Sequence, residues 1–169
     1  MLSIVIVGAP NVGKSTLFNR LIGKKLALVD DQPGVTRDFR EARTRLGKTE
    51  VLLIDTAGFD LAEKNSLNER TNVISRSVIQ NSNMCLFVID ARKGITSLDS
   101  LFAESLRKLS MNVVILANKC EGRLSDAGFY EAFSMGFGSP LAISAEHGIG
   151  INLLADAVDS YNNLDQTTS

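Results

Sequence analysis

The sequence pattern that most constrains the fold lies at Gly8–Ser15, which matches G-x-x-x-x-G-K-[ST]. The short β-branched run Ile4–Val7 precedes it, and apolar residues at helical spacing follow it as far as Gly23. The pattern therefore predicts a glycine-rich loop between a buried strand and the N-terminus of a helix. Backbone N–H groups converge in such a loop, which would bind phosphate through Gly8, Ala9, Pro10, Asn11, Val12, Gly13, Lys14, Ser15 and Thr16.

Two side chains of this loop have separate expected roles. The Lys14 ammonium would reach the β- and γ-phosphates of a nucleotide, and the Ser15 hydroxyl would be a ligand of Mg²⁺. Taken alone, the loop pattern also fits a glycine-rich turn that binds nothing. The rest of the chain argues against that alternative, because further loops carry matching chemistry.

A second motif, Asp55-Thr56-Ala57-Gly58, follows the apolar run Val51–Ile54. The aspartate would hold Mg²⁺ through water, and the Gly58 N–H would bond the γ-phosphate. Such an arrangement would respond to whether the γ-phosphate is present.

Two motifs further along the chain indicate a base-binding site. They are Asn118-Lys119-Cys120-Glu121, after residues 113–117, and Ser144-Ala145-Glu146, after residues 140–143. The Glu121 carboxylate can accept from two adjacent donors, which guanine presents on N1 and its exocyclic amine and adenine does not. Because all four motifs follow strands, we expect them to meet at one edge of an open α/β sheet.

The remaining patterns predict the architecture. Met84–Ile89 reads as a strand, and Phe39–Leu46 and Thr49–Ile54 read as a hairpin around Gly47-Lys48. We therefore expect an α/β fold with a mostly parallel six-stranded sheet, one antiparallel edge strand and helices on both faces. The predicted apolar helix faces are Leu98, Leu101, Phe102, Leu106 and Leu109, and Ile151, Leu154, Ala155 and Val158.

Together with Thr36, these motifs resemble the five ordered motifs of small GTP-binding domains. In that order the first is Gly8–Ser15, the second Thr36, the third Asp55–Gly58, the fourth Asn118–Glu121 and the fifth Ser144–Glu146. More narrowly, Gly8–Leu21, Pro33–Asp38, Asp55–Phe59 and Ser144–Gly148 resemble the first GTPase domain of the Der family, also called EngA, of bacterial ribosome-assembly GTPases. The resemblance implies a P-loop NTPase G domain of the TrmE-Era-EngA-like type. It further implies hydrolysis of GTP to GDP and phosphate with Mg²⁺, as a switch in assembly of the large ribosomal subunit.

The resemblance also implies roles for particular residues. Lys14, Thr36 and Gly58 would be catalytic, and Thr36 would join Ser15 and Asp55 as a Mg²⁺ ligand. Asp30–Asp38 is rich in acidic residues, proline and glycine, so it predicts a mobile switch loop that is ordered with GTP and released with GDP. A plain surface loop is the alternative.

Three features depart from what related proteins show. Many related GTPases have a water-orienting glutamine where Phe59 stands, so we expect slow intrinsic turnover. The fourth motif usually ends in aspartate, whereas Glu121 keeps both acceptor oxygens and adds a methylene. Der proteins carry two GTPase domains and a KH-like domain, so we expect an excised or truncated single domain at 1–162 and a polar, frayed tail at 163–169.

Asn11 suggests a second cation. In related potassium-dependent GTPases an asparagine at this loop position ligates K⁺, and backbone carbonyls of residues 30–35 would complete the site here. We therefore expect K⁺ to stimulate turnover. The alternative is that Asn11 only forms the turn.

Composition narrows the expected partners. The net charge of −1 gives no global attraction to nucleic acid or to a membrane, and no apolar stretch approaches the roughly 18 residues of a membrane span. Cys85 and Cys120 cannot make a disulfide scaffold, so we expect a cytoplasmic protein. The single histidine, His147, is expected to pack near the base loop or to be exposed. The basic run Arg37, Arg40, Arg43, Arg45 and Lys48 reads as a solvated edge strand or, alternatively, as a contact for RNA or a sister domain.

Three functional hypotheses remain open from the sequence. The first is a Mg²⁺-dependent, K⁺-stimulated GTPase. The second is a nucleotide-sensing binding module whose own hydrolysis is negligible, which Phe59 keeps open. The third is a G domain of an Era-like or tRNA-modifying GTPase, which would share the chemistry and differ in partner.

Overall fold

The computed structural model describes residues 1–23, 40–56, 76–122 and 126–167, of which 165–167 are described in backbone only. Residues 76–80 are helical. The labelled elements are β1 (Leu2–Gly8), α1 (Lys14–Ile22), β2 (Arg40–Leu46), β3 (Thr49–Asp55), β4 (Met84–Asp90), α2 (Ser97–Lys108), β5 (Val113–Asn118), α3 (Asp126–Phe133), β6 (Leu141–Ala142) and α4 (Ile151–Thr167).

The strands form one six-stranded sheet in the order β2-β3-β1-β4-β5-β6. Only β2 and β3 pair antiparallel, and the other neighbours pair parallel. Every residue of β4 is buried, as its continuous apolar run predicts for a central strand covered on both faces. The predicted six-stranded, mostly parallel sheet with an antiparallel edge strand is confirmed.

Alternation along β1 divides the core into two layers. Ile4 and Ile6 pack with α1 and α4 on one face, whereas Val5 and Val7 pack with α2 and α3 on the other. This confirms the prediction of helices on both faces. The parallel strands β1, β3, β4 and β5 all end at the same edge of the sheet, and their last residues are Gly8, Asp55, Asp90 and Asn118.

The predicted apolar face of α2 is wrong in part. Leu98 and Leu101 are 38% and 60% exposed, whereas Ala103 and Leu106 are buried against the sheet. Thr96 caps the helix in a reciprocal box with Asp99, and the Asp99 side chain is buried there. The helix therefore turns its 99–103–106 side inward, where the small Ala103 permits close approach to the strands.

Helix α4 continues to Thr167, through most of the segment predicted as a frayed tail. The domain boundary at residue 162 is thus not marked by the end of a helix, and it stays a prediction. Among the helices that the structure describes, none combines the length and the apolar character needed to span a membrane.

The predicted hairpin is present, and α4 holds its turn. Asp159 of α4 accepts hydrogen bonds from the Lys48 N–H at 2.9 Å and from the Thr49 hydroxyl at 2.6 Å. A Cβ at Gly47, which has φ +61°, would overlap the Asp159 carboxylate. The hydrogen bond from Thr49 lowers the pKa of Asp159 most, and the hydrogen bond from Lys48 lowers it further, so the pKa lies below its ordinary value.

We predict that Asp159→Ala lowers the Tm at neutral pH, because the turn loses its acceptor. The pKa of Asp159 is lower in the folded state than in the unfolded state, where it is about 3.9, so the ionised carboxylate stabilises the fold above about pH 3.9. This stabilisation is lost as the pH falls through the folded-state pKa. The Tm difference between wild type and variant should therefore shrink below about pH 4. Asp156→Ala, which removes an exposed carboxylate from the same helix, is the control. An equal Tm loss in both variants would contradict the assigned role.

Candidate nucleotide-binding site

The phosphate loop is built from backbone angles that few residues tolerate. Gly13 has φ +106° and is the N-cap of α1, and its carbonyl accepts the Leu17 N–H at 2.9 Å. A Cβ at Gly13 would overlap the amide nitrogen of Asn118, so only glycine fits there. Asn11 has φ +68°, which asparagine tolerates better than most residues. The local sequence thus leads the chain directly from β1 into the helix N-terminus.

Lys14 places a positive charge inside the loop. Its side chain is 4% exposed, and its ammonium donates to the carbonyls of Gly8 and Ala9, each at 2.7 Å. A buried ammonium needs such acceptors to offset its lost hydration. The charge therefore lies among the loop carbonyls and beside the N-terminus of α1, where an anion would be attracted.

Asn118 joins the phosphate loop to the base loops. Its side-chain amide donates to the Val12 carbonyl at 2.9 Å and accepts the Ala145 N–H at 2.9 Å. The residue is 3% exposed at the end of β5. One side chain thus joins the phosphate loop, 106 positions away in the sequence, to the loop at Ala145, 27 positions away.

Asp90 is a site residue that the sequence analysis missed. It ends β4, and its carboxylate accepts from the Lys119 ammonium at 3.0 Å. Burial raises the pKa of Asp90, but the hydrogen bond from Lys119, with those from the Arg92 and Lys93 N–H groups, outweighs it and keeps the pKa below its ordinary value. Lys119 also donates to the Asn11 carbonyl at 3.1 Å, so this ion pair fixes the fourth motif on the phosphate loop.

The fifth motif supports the fourth. The buried Ser144 hydroxyl donates to Glu121 Oε1 at 2.7 Å, and the Cys120 N–H donates to the Ile143 carbonyl at 3.0 Å. Arg20 of α1 donates to the carbonyls of Ala145 and Glu146, at 3.0 and 2.5 Å. The fifth motif therefore holds the loop that carries the Glu121 carboxylate, and Arg20 in turn holds the fifth motif to α1.

Asp55 is buried at the end of β3 and pairs with Arg40 across the hairpin, at 2.8 Å. The Arg40 guanidinium also lies 4.8 Å from the centre of the Phe18 ring. Thr56, next in the chain, donates its hydroxyl to the Ile6 carbonyl at 2.7 Å. The carboxylate of Asp55 and the exposed hydroxyl of Ser15 are hard oxygen donors, and this donor set fits Mg²⁺.

Both cysteines pack against the same core layer. Burial raises the pKa of the Cys85 thiol far above its ordinary value, and the residue packs in the core as expected. The Cys120 thiol donates to the Ala117 carbonyl at 3.3 Å and packs partly against the same layer.

The structure brings together most of the predicted site residues it describes: the phosphate loop, Asp55, Thr56 and the base loops. Thr16 and Glu146 are exposed. Thr36, Ala57, Gly58, Phe59 and the predicted loop Asp30–Asp38 lie outside the described residues. The sequence analysis did not assign three residues to the site, because their partners are distant in sequence and no motif marks them. These residues are Asp90, Arg20 and Arg40.

This geometry, with a strand–loop–helix phosphate site and base loops at one edge of a mostly parallel sheet, defines a P-loop GTPase domain. The chain belongs to the 50S ribosome-binding GTPase family, whose model matches residues 3–119. It is 54% identical to GTPase Der of Ruegeria pomeroyi over 153 residues, and 55% identical to GTPase Der of Ruegeria sp. (strain TM1040) over 150 residues. The resemblance to Der is thereby confirmed.

The chain spans 31% and 30% of the length of these two relatives, and these matches cover 90% and 89% of the chain itself. Among solved structures, a variant of Era from Aquifex aeolicus bound to GDP and AlF4⁻ is similar to it, with a TM-score of 0.75 and 24% identity. That match covers 94% of this chain and 56% of the Era chain, and it supports the fold.

We predict that Asn118→Ala destabilises the fold by about 1–3 kcal/mol, because the Val12 carbonyl and the Ala145 N–H lose their partner. Urea unfolding measures this free energy directly. Asn152→Ala, an exposed position on α4, is the matched control and should change it by less than about 0.5 kcal/mol. Equal stability of Asn118→Ala and wild type would contradict the bridging role.

Proposed function

We propose that this chain binds GTP and hydrolyses it to GDP and phosphate with Mg²⁺, as the nucleotide switch of a Der-type protein. The observation that carries the proposal is the Asn118 amide, which holds the phosphate loop and the base loop in one unit through Val12 and Ala145. A ligand with phosphates at one end and a purine at the other matches such a unit.

The chain's own groups support phosphoryl transfer by charge and position. Lys14, the loop N–H groups and the N-terminus of α1 would neutralise charge that develops on the phosphates. Thr36 and Gly58 keep the catalytic roles that the resemblance implies, as predictions. Phe59 offers no donor or acceptor to water, so slow intrinsic turnover also stays a prediction.

Ser15 and Asp55 would hold Mg²⁺, with Thr36 as the predicted third protein ligand. When bound, the ion would neutralise phosphate charge and fix the phosphate orientation. The Arg40 guanidinium pairs with Asp55, and a buried carboxylate is costly without a positive partner.

Selectivity for guanine would come from Glu121. Its carboxylate accepts from Ser144 and retains acceptor capacity for the N1–H and the exocyclic amine of guanine. Adenine would leave the carboxylate poorly paired, at a cost of about 1–3 kcal/mol. ATP should therefore be a poor substrate.

The partner proposal rests on the relatives. The family is described as binding the 50S ribosome, so we propose that a full-length protein containing this domain acts on the large ribosomal subunit. We do not expect this domain alone to bind nucleic acid, given its net charge of −1. A cytoplasmic location stays a prediction from the sequence.

A sensing module with negligible hydrolysis is the second candidate, and Phe59 is the observation that favours it. Both candidates share the base site and the phosphate loop. An Era-like or tRNA-modifying domain is less favoured, because the identity to Der relatives reaches 54% over 90% of the chain. Single-turnover kinetics of phosphate release separate the first two candidates.

We further propose that K⁺ stimulates the reaction through Asn11. This residue is exposed at the rim of the phosphate loop. Its φ of +68° also suits a turn former, so the test must separate the side chain from the backbone. Asn11→Gly removes the side chain without strain, whereas Asn11→Ala adds the cost of a left-handed alanine, about 1–2 kcal/mol.

We predict that phosphate release from GTP is roughly tenfold faster in KCl than in NaCl at equal ionic strength, a barrier difference of about 1.4 kcal/mol. Asn11→Gly should remove this difference and leave the affinity for GDP near the wild-type value, while ATP stays inert. K⁺ stimulation that survives in Asn11→Gly would exclude the side chain as a ligand. Tight GTP binding without single-turnover release in either salt would instead support the sensing module.

A further inference from the structure

We propose that His147 is a positioning residue for guanine selectivity: it holds the Glu121 carboxylate in the orientation that accepts from the base. The inference rests on the proposed guanine site and adds to it a residue that lies outside the predicted nucleotide contacts. It concerns selectivity between purines, and it assigns His147 no contact with the phosphates.

The contacts define a two-sided support for Glu121. Oε1 accepts the Ser144 hydroxyl at 2.7 Å, and Oε2 lies 3.5 Å from His147 Nε2. The backbone N–H of His147 also donates to the Ser144 hydroxyl oxygen at 3.3 Å, so both supports belong to one loop. Each carboxylate oxygen thus has its own neighbour in residues 144–147.

Glutamate needs such support because its side chain has more rotatable bonds than that of aspartate. A single hydrogen bond to Oε1 fixes one oxygen and leaves the carboxylate free to rotate about it. A second partner at Oε2 fixes the plane of the group. Each carboxylate oxygen still has a lone pair for a base donor after both contacts are made.

A second carboxylate, that of Glu146, lies beside the Glu121–His147 pair. Ligand atoms of Glu121, Glu146 and His147 all lie within 4.8 Å of one another, so two carboxylates share this corner of the site. Like charges at this distance repel, so the Glu121 carboxylate needs a fixed contact to keep one orientation. Arg20 lies on the other side of the loop, where its guanidinium donates to the carbonyls of Ala145 and Glu146.

His147 contributes little to folding in this position. Its side chain is 55% exposed, whereas that of Glu121 is 29% exposed. A half-exposed imidazole buries little apolar area, so the contact with Glu121 is its main described interaction. Loss of the side chain should therefore change ligand selectivity more than stability.

We predict that His147→Ala raises the Kd for GDP about fivefold, because Oε2 of the Glu121 carboxylate loses its neighbour. The Kd for IDP, whose base lacks the exocyclic amine, should change less than about twofold. The ratio of the Kd for IDP to the Kd for GDP therefore falls, which general loosening of the fold would not produce. His147→Gln keeps a donor and should restore most of the ratio. Titration calorimetry measures all these constants, and urea unfolding checks that each variant is folded.

The Glu121→Asp background supplies the matched control. A shorter carboxylate moves away from the imidazole, so His147→Ala should have almost no further effect there. Equal losses for GDP and IDP, or an undiminished effect of His147→Ala in the Glu121→Asp background, would overturn the inference. A wild-type chain that fails to prefer GDP over ADP would instead overturn the guanine site itself, so the two failures are distinguishable.

Discussion

The arrangement of the site depends on one buried amide. Asn118 is 3% exposed, and its two polar atoms are both used, one by the Val12 carbonyl and the other by the Ala145 N–H. An amide supplies a donor and an acceptor in one plane, which a carboxylate or an ammonium does not. It can therefore satisfy a carbonyl of the phosphate loop and an N–H of the base loop together. Gly13 must lack a Cβ for this approach, so the glycine of the phosphate loop and the asparagine of the fourth motif depend on each other.

Buried charge is balanced by pairs around this amide. Lys119 pairs with Asp90, and Arg40 pairs with Asp55, so both buried carboxylates at the strand ends have a cation. Removing one partner of such a pair leaves an uncompensated buried charge. Lys119 has φ +69°, an unfavourable angle for a lysine, and its ammonium is anchored at both Asp90 and the Asn11 carbonyl. The ion pair thus offsets local strain while it orients the fourth motif.

Local sequence patterns predicted the strands, the hairpin and the motif loops, because apolar runs and turn residues determine the backbone conformation of their near neighbours in sequence. They failed where the outcome depends on distant partners. Leu98 and Leu101 fit a helical face by spacing, yet the Thr96–Asp99 cap and the small Ala103 decide which side packs on the sheet. Asp90 stands in a run without a motif, and its role follows from Lys119, a residue 29 positions away. Arg20 acts on a carbonyl 125 positions away, a pairing that no periodicity encodes.

Helix α1 links the phosphate and base ends of the site at a set distance. It begins at Lys14 beside the phosphate loop, and Arg20, six residues further, donates to two carbonyls of the base loop. At 1.5 Å per residue, the helix separates these two points by about 9 Å along its axis. The Asn118 amide fixes the same two loops from the β5 side. Because a nucleotide also holds its base and phosphates apart by a rigid sugar, a site fixed at both ends pays little ordering entropy on binding. We therefore expect the affinity for nucleotide to depend on Arg20 and Asn118, whose contacts hold both ends of the site.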